Sequence, residues 1–315
     1  MTSVARPLRP TPLMLLAERP VMTAALGALG ITFSGILVRL ADVTPATAAI
    51  FRCLYALPIL AVLAYWEHRA LGPRSRLLRM AAIGSGLLLA VDLVVWHHTI
   101  GLVGAGLATV LGNTQVVFVA VLAWLLLGER PAGRTLLALP LVLGGVVLIS
   151  GALGSGAYGR DPGLGVVLGL VTGLSYAGSL LLLRHGSADL RGPSGVLFDV
   201  TLAAAIGSAL IGLPLGEVNL VPAWPAHGWL VLLALSSQVV GWLLITISLP
   251  RLPAALASVI LTLQPVGSVV FAMLLLSEAP SEFQLLGAGA ILGGLLLATA
   301  GRRSPAAPQL EGAPT

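Results

Sequence analysis

The sequence predicts an all-α integral membrane protein of ten transmembrane helices arranged as two inverted five-helix repeats. Three observations predict it. Of 315 residues, 57% are hydrophobic and 9% charged, with mean hydropathy +1.00; a soluble domain carries about a quarter charged residues, so this chain has too few to cover a water-facing surface. Apolar runs of about 20 residues, long enough to cross roughly 30 Å of hydrocarbon at 1.5 Å per residue, recur along the whole chain. A stretch of the first half is repeated in the second.

Taken in order, the first set of spans covers 21–41, 46–65, 77–100, 103–127 and 134–151, and the second covers 163–183, 194–214, 227–249, 253–277 and 284–301. The strict alternation of a membrane barrel is missing, and runs this long satisfy their backbone in lipid only as helices. The division expected is a cytoplasmic segment 1–20, a first repeat 21–151, a second repeat 163–301 and a disordered cytoplasmic tail 302–315. No cleavable signal peptide is expected, because the first long apolar run already has spanning length. The lone Cys53 excludes an internal disulfide.

Orientation follows from the basic residues, all 17 of which are arginine. With the N-terminus in the cytoplasm, 14 of them lie on that side, including Arg19, Arg69, Arg74, Arg76, Arg79, Arg130, Arg134, Arg191 and Arg303. Arg39 and Arg160 fall outside, and Arg52 lies within the second span. This is a strong positive-inside signal and it requires an even number of spans. The formal charge of +5 is therefore topological; nucleic-acid binding would need a clustered basic face, which is absent. The expected location is a plasma membrane, by composition the cytoplasmic membrane of a bacterium, with both termini inside.

A shift of 149 residues lays "AGLATVLGNTQVVFVAVLAWLLLGERP" over "AALASVILTLQPVGSVVFAMLLLSEAP". Gln115 falls on Gln264, Glu129 on Glu278, Pro131 on Pro280, and the pair Gly144–Gly145 on Gly293–Gly294. Five spans per half make the halves cross in opposite senses, an architecture associated with sites near the bilayer midplane. The segment "LQPVGSVVFAMLLLSEAPSEFQLLGAGAILGG", together with "AAIFRCLYALPIL", resembles the EamA branch of the drug/metabolite transporter superfamily over residues 21–301. That resemblance implies a central cavity and export of small metabolites or amino acids. The first half departs from the family pattern, with Val116 in the place of Pro265 and Thr135 in that of Gln284.

Polar side chains inside the spans are the candidate site. A charge near a helix centre costs about 2.5 to 3.5 kcal/mol on insertion scales, so it faces a bundle interior or a cavity. Asp92 is the costliest. At 100° per residue, Trp96 and Thr99 lie about 40° and 20° from it, whereas His97 and His98 lie about 140° and 120° away on opposite flanks. The three do not converge, so no metal site is expected and the histidines read as residues of the outer interface. Asp92 is instead a candidate for proton coupling, with a hydrogen bond to a Ser or Gln of the eighth span as the structural alternative. Gln115 and Gln264 are candidate substrate contacts because the repeat pairs them at mid-depth. Asn113 is a further candidate cavity residue, but it projects away from Gln115 and reads more readily as an interhelical hydrogen bonder. Arg52 could receive a substrate carboxylate as a bidentate donor or pair with Asp42. Trp96, Tyr176 and Trp242 are candidate cavity aromatics. Glu129 and Glu278 read as solvated charges at the interfaces.

Three classes of function compete. An intramembrane enzyme needs a nucleophile with its base, or convergent ligands, and neither is visible. A scaffold or receptor would carry a soluble domain or large loops. A secondary transporter of small metabolites such as amino acids fits best, with phosphorylated or nucleotide-linked substrates as the alternative. No cofactor is expected, and without a Walker motif a proton or substrate gradient must drive transport. The expected partners are the substrate and the bilayer, with a homodimer left open.

Overall fold

The computed structural model describes residues 19–128, 133–153, 156–186, 193–248, 252, 260–261 and 263–299. The N-terminal segment, the tail, Glu129, Pro131 and residues 254–257 of the repeat lie outside them. The described chain is all helix, with no strand: α1 (Pro20–Thr32), α2 (Ser34–Ala41), α3 (Pro45–Leu71), α4 (Arg76–Val103), α5 (Ala105–Gly112), α6 (Gln115–Leu127), α7 (Gly133–Ile149), α8 (Pro162–Gly186), α9 (Pro193–Gly212), α10 (Ala226–Leu233), a π-helical segment Ala234–Gly241, α11 (Trp242–Ser248), α12 (Leu263–Leu276) and α13 (Glu282–Thr299). Seven helical stretches are long and apolar enough to cross a membrane, and three shorter apolar helices accompany them.

Local chemistry sets the boundaries. Proline opens α1, α3, α8 and α9, where its missing N–H costs nothing. Ser75 caps α4, its Oγ accepting from the Leu78 N–H at 3.3 Å. The helix α3 runs six residues past the predicted end at 65, because Trp66–Glu67–His68–Arg69 continues the helix into the interface, beyond where hydropathy falls. Predicted spans one and four are each interrupted, at Phe33 and at Asn113–Thr114. At the second break Asn113 Nδ2 donates to the Thr109 carbonyl at 2.8 Å and Thr114 Oγ1 to the Leu111 carbonyl at 2.6 Å. Asn113 thus satisfies its own helix rather than a neighbour, as had been expected of it.

Gly104 shows why one position must be glycine. It turns the chain from α4 into α5 at φ 89°, and the Glu278 carboxylate sits against it, accepting from the Ala105 and Gly106 N–H groups at 2.7 and 3.3 Å. A Cβ at 104 would lie 2.5 Å from Glu278 Oε2. Glu278 is therefore buried as the cap of α5, not a solvated interfacial charge. Burial pushes its carboxyl pKa up, against the two N–H donors and Arg39, which pull it down.

The helices pack in a pattern that sets the site. The pair α4 and α8 lie along one another, α9 contacts both α3 and α4, α1 lies against the π segment and α11, α5 lies against α12, and α7 against α13. Ser85 and Ser179 clasp α4 to α8, each hydroxyl donating to the other's carbonyl at 2.9 Å.

Candidate functional site

Arg52 is the one buried arginine among the described residues, and its partners come from the π segment. Its Nε donates to Gln238 Oε1 and its Nη2 to Ser237 Oγ, both at 3.0 Å. Gln238 is then fixed in turn, its amide donating to Thr201 Oγ1 of α9 at 3.1 Å. Three helices meet in this chain of side chains. Thr201 is also the residue that the 149-residue shift places on Arg52, so the two repeat-related positions bind the same glutamine. The expected Arg52–Asp42 pair does not form. The wider turn of a π-helix, a form concentrated at functional sites, presents Ser237 and Gln238 to Arg52.

Aromatic rings and one carboxylate complete the site. The Arg52 Cζ lies 6.0 Å from the Trp96 ring centroid, within cation–π range. Tyr176 meets Trp242 edge to face at 6.1 Å. Asp92 is buried near the middle of α4, one turn before Trp96. Among the described residues no hydrogen bond or ion pair engages its carboxylate, so the structural alternative of a Ser or Gln partner falls to Arg52 instead. A cavity of about 20 Å³ lies between Ser85, Tyr176, Ser179, Gln238 and Trp242. That is room for about one water.

The other candidates sit apart. Gln115 and Gln264 lie at the starts of α6 and α12, and no hydrogen bond links either to the Arg52 cluster. Gln115 Oε1 is nevertheless buried without a partner. His97 is buried, its Nδ1 donating to the Pro45 carbonyl at 3.0 Å, and His98 Nε2 lies 3.1 Å from Glu217 Oε1. The first turns inward and the second ties α4 to the loop after α9, within the expectation that at most one of the two leaves the interface. No metal-binding group of three His, Cys, Asp or Glu exists among the described residues. Ser237, Gln238 and Thr201 were the site residues hardest to single out from sequence; the only signal was a polar "SSQ" inside an apolar span.

Apolar spanning helices around a buried charged site define a multi-pass membrane protein. The chain belongs to the EamA-like transporter family, whose model matches residues 19–151 and 163–300, and is a membrane transporter. A Synechocystis protein described as an uncharacterized transporter is 27% identical over 251 residues, covering 76% of this chain and 74% of its own. A solved crystal structure shares the fold with TM-score 0.59 at 18% identity, covering 90% of this chain and 96% of its own.

Proposed function

We propose that the protein is a secondary exporter of small zwitterionic metabolites such as amino acids, working by alternating access and coupled to protons through Asp92. One observation carries the reading: a guanidinium and a carboxylate, those of Arg52 and Asp92, are both buried within apolar helices, and no ion pair joins them. Arg52 offers a planar donor to a substrate carboxylate, while Asp92 and the Trp96 face offer acceptors for an ammonium. An Asp92 carboxyl alternately protonated from either side supplies the coupling. A phosphorylated substrate would ask for several deep cations, and Arg52 is the one buried arginine among the described residues. Trp96, Tyr176 and Trp242 form the walls; Gln115 and Gln264 enter the cavity when α6 and α12 move.

The architecture proposed with this function is ten spans in two inverted repeats, 21–151 and 163–301, in a bacterial cytoplasmic membrane with both termini inside. The packing of α7 on α13, counterparts under the 149-residue shift, supports it, as does the packing of α5, from the fourth predicted span, on α12, from the ninth.

The test is transport of labelled amino acids into proteoliposomes with and without a pH gradient. Wild-type protein is expected to accumulate substrate when the gradient is imposed. Asp92→Asn should still exchange substrate across the membrane but no longer concentrate it. Full gradient-driven accumulation by Asp92→Asn overturns the coupling role, and transport confined to sugar phosphates or nucleotides overturns the substrate class.

A further inference from the structure

A second and larger cavity, of about 370 Å³, lies far from Arg52 at the arginine-rich ends of α3, α4 and α9. Tyr65, His68, Arg74, Arg79, Phe198 and Asp199 are among its walls. It opens sideways. At 100° per residue Tyr65 and His68 point about 140° and 160° away from Arg52 on α3, and Tyr65 and its neighbour Trp66 are exposed. On α9 the outward residues Leu202, Ile206 and Leu210 form one stripe at four-residue spacing, and Phe198 continues it one turn further into the cavity. An apolar stripe along α9 thus leads to a polar pocket. From Asp199 to Leu210 the helix rises about 16 Å, close to the half-thickness of the hydrocarbon core.

The charges in this pocket are unevenly committed. Glu67 accepts from the Ser194 and Gly195 N–H groups at 3.1 and 2.6 Å, capping α9. Asp199 holds Arg74 Nη2 at 2.5 Å and lies 3.5 Å from Arg79 Nε. Arg74 also donates to the Gly195 carbonyl at 2.7 Å. Both carboxylates are therefore engaged within the protein. The donors are not all engaged: Arg74 Nη1 is buried with no partner, and most of the Arg79 side chain stands free at 58% exposure. Arg69 lies over the Tyr65 ring at 5.9 Å, and Arg76, at the start of α4, is exposed and outside the cavity wall.

We propose that this cavity binds the phosphodiester headgroup of an anionic phospholipid, with Arg74 and Arg79 on the phosphate and the acyl chains along Leu202, Ile206 and Leu210. Arginine matches phosphate oxygens as a planar fork, and basic pockets between membrane helices at the cytoplasmic side suit such headgroups. The inner leaflet as the source of the lipid rests on the topology proposed above.

Purified full-length protein in detergent is titrated with phosphatidylglycerol, phosphatidylcholine or inorganic phosphate, reading Tm and retained lipid by native mass spectrometry. Phosphatidylglycerol is expected to raise the Tm of wild-type protein and of Arg76→Gln, a rim variant outside the cavity. Binding should weaken about tenfold in Arg79→Gln, whose exposed side chain is dispensable for folding. Arg74→Lys, which keeps a cation for Asp199 and removes Nη1, should weaken it as well. Equal binding by all four proteins, equal binding of phosphatidylcholine, or no retained lipid overturns the proposal. Full replacement of the lipid by inorganic phosphate overturns the lipid assignment in favour of a soluble anion. Because the readout is binding, failure here leaves the transport reading standing.

Discussion

Arg52 has left water inside an apolar bundle, where an unpaired guanidinium would cost several kcal/mol. Gln238 and Ser237 offset that cost with charge-assisted hydrogen bonds, and Thr201 holds Gln238 in the rotamer that does so. Gln238→Leu leaves the Arg52 Nε–H buried and unpaired, at a cost of about 1.5 to 3 kcal/mol, and should lower both Tm and transport. The double variant Arg52→Met/Gln238→Leu removes both partners, so Tm should recover toward wild type while transport stays lost. Recovery of transport along with Tm would show that Arg52 does not meet the substrate. The sequence made Arg52 and Asp92 legible, because a charge inside an apolar run is visible without knowing the fold. It did not make their partners legible. Asp42 is ten residues from Arg52, whereas Gln238 is 186 away, and which distant helix faces Arg52 depends on helix rotation and tilt that no local pattern records.

At the scale of elements, small residues decide which helices approach. The Gly144–Gly145 and Gly293–Gly294 pairs were visible as part of the repeat, yet their members differ. A Cβ on Gly145 would lie 2.5 Å from the Gly287 carbonyl of α13, and one on Gly294 2.7 Å from Val142, whereas Gly144 and Gly293 meet nothing within 4 Å. Gly145→Ala should therefore force α7 off α13 and cost about 1 to 3 kcal/mol, while Gly144→Ala, one residue away, should stabilise by about 0.5 to 1 kcal/mol through helix propensity. Tm shifts of opposite sign are the expected result, and a common sign for both would refute the close packing of α7 on α13. The interruptions of the helices were harder to foresee. A π segment between α10 and α11 leaves no mark on hydropathy, because the same apolar residues serve either winding; the polar "SSQ" within it acquires meaning only once Arg52 is opposite.

For the molecule as a whole, the arginine distribution and the repeat make one joint claim: an even number of crossings with the Arg74 cavity on the cytoplasmic side. Length and apolarity alone qualify seven helical stretches, with α7, α12 and α13 falling short. Their brevity does not decide whether they cross, since helices packed among others can be shorter than the bilayer is thick and draw it thinner around them. Single-cysteine labelling decides it. Cys53 is fully buried, so Cys53→Ala gives a quiet background, in which Ser75→Cys, Arg160→Cys and Ser304→Cys report the loop between α3 and α4, the loop between α7 and α8 and the tail. A membrane-impermeant maleimide should label Arg160→Cys in intact cells and the other two only after lysis. Labelling of Ser304→Cys from outside would mean an odd number of crossings, which breaks the inverted relation of the two halves. Labelling of Ser75→Cys from outside would move the Arg74 cavity to the opposite leaflet.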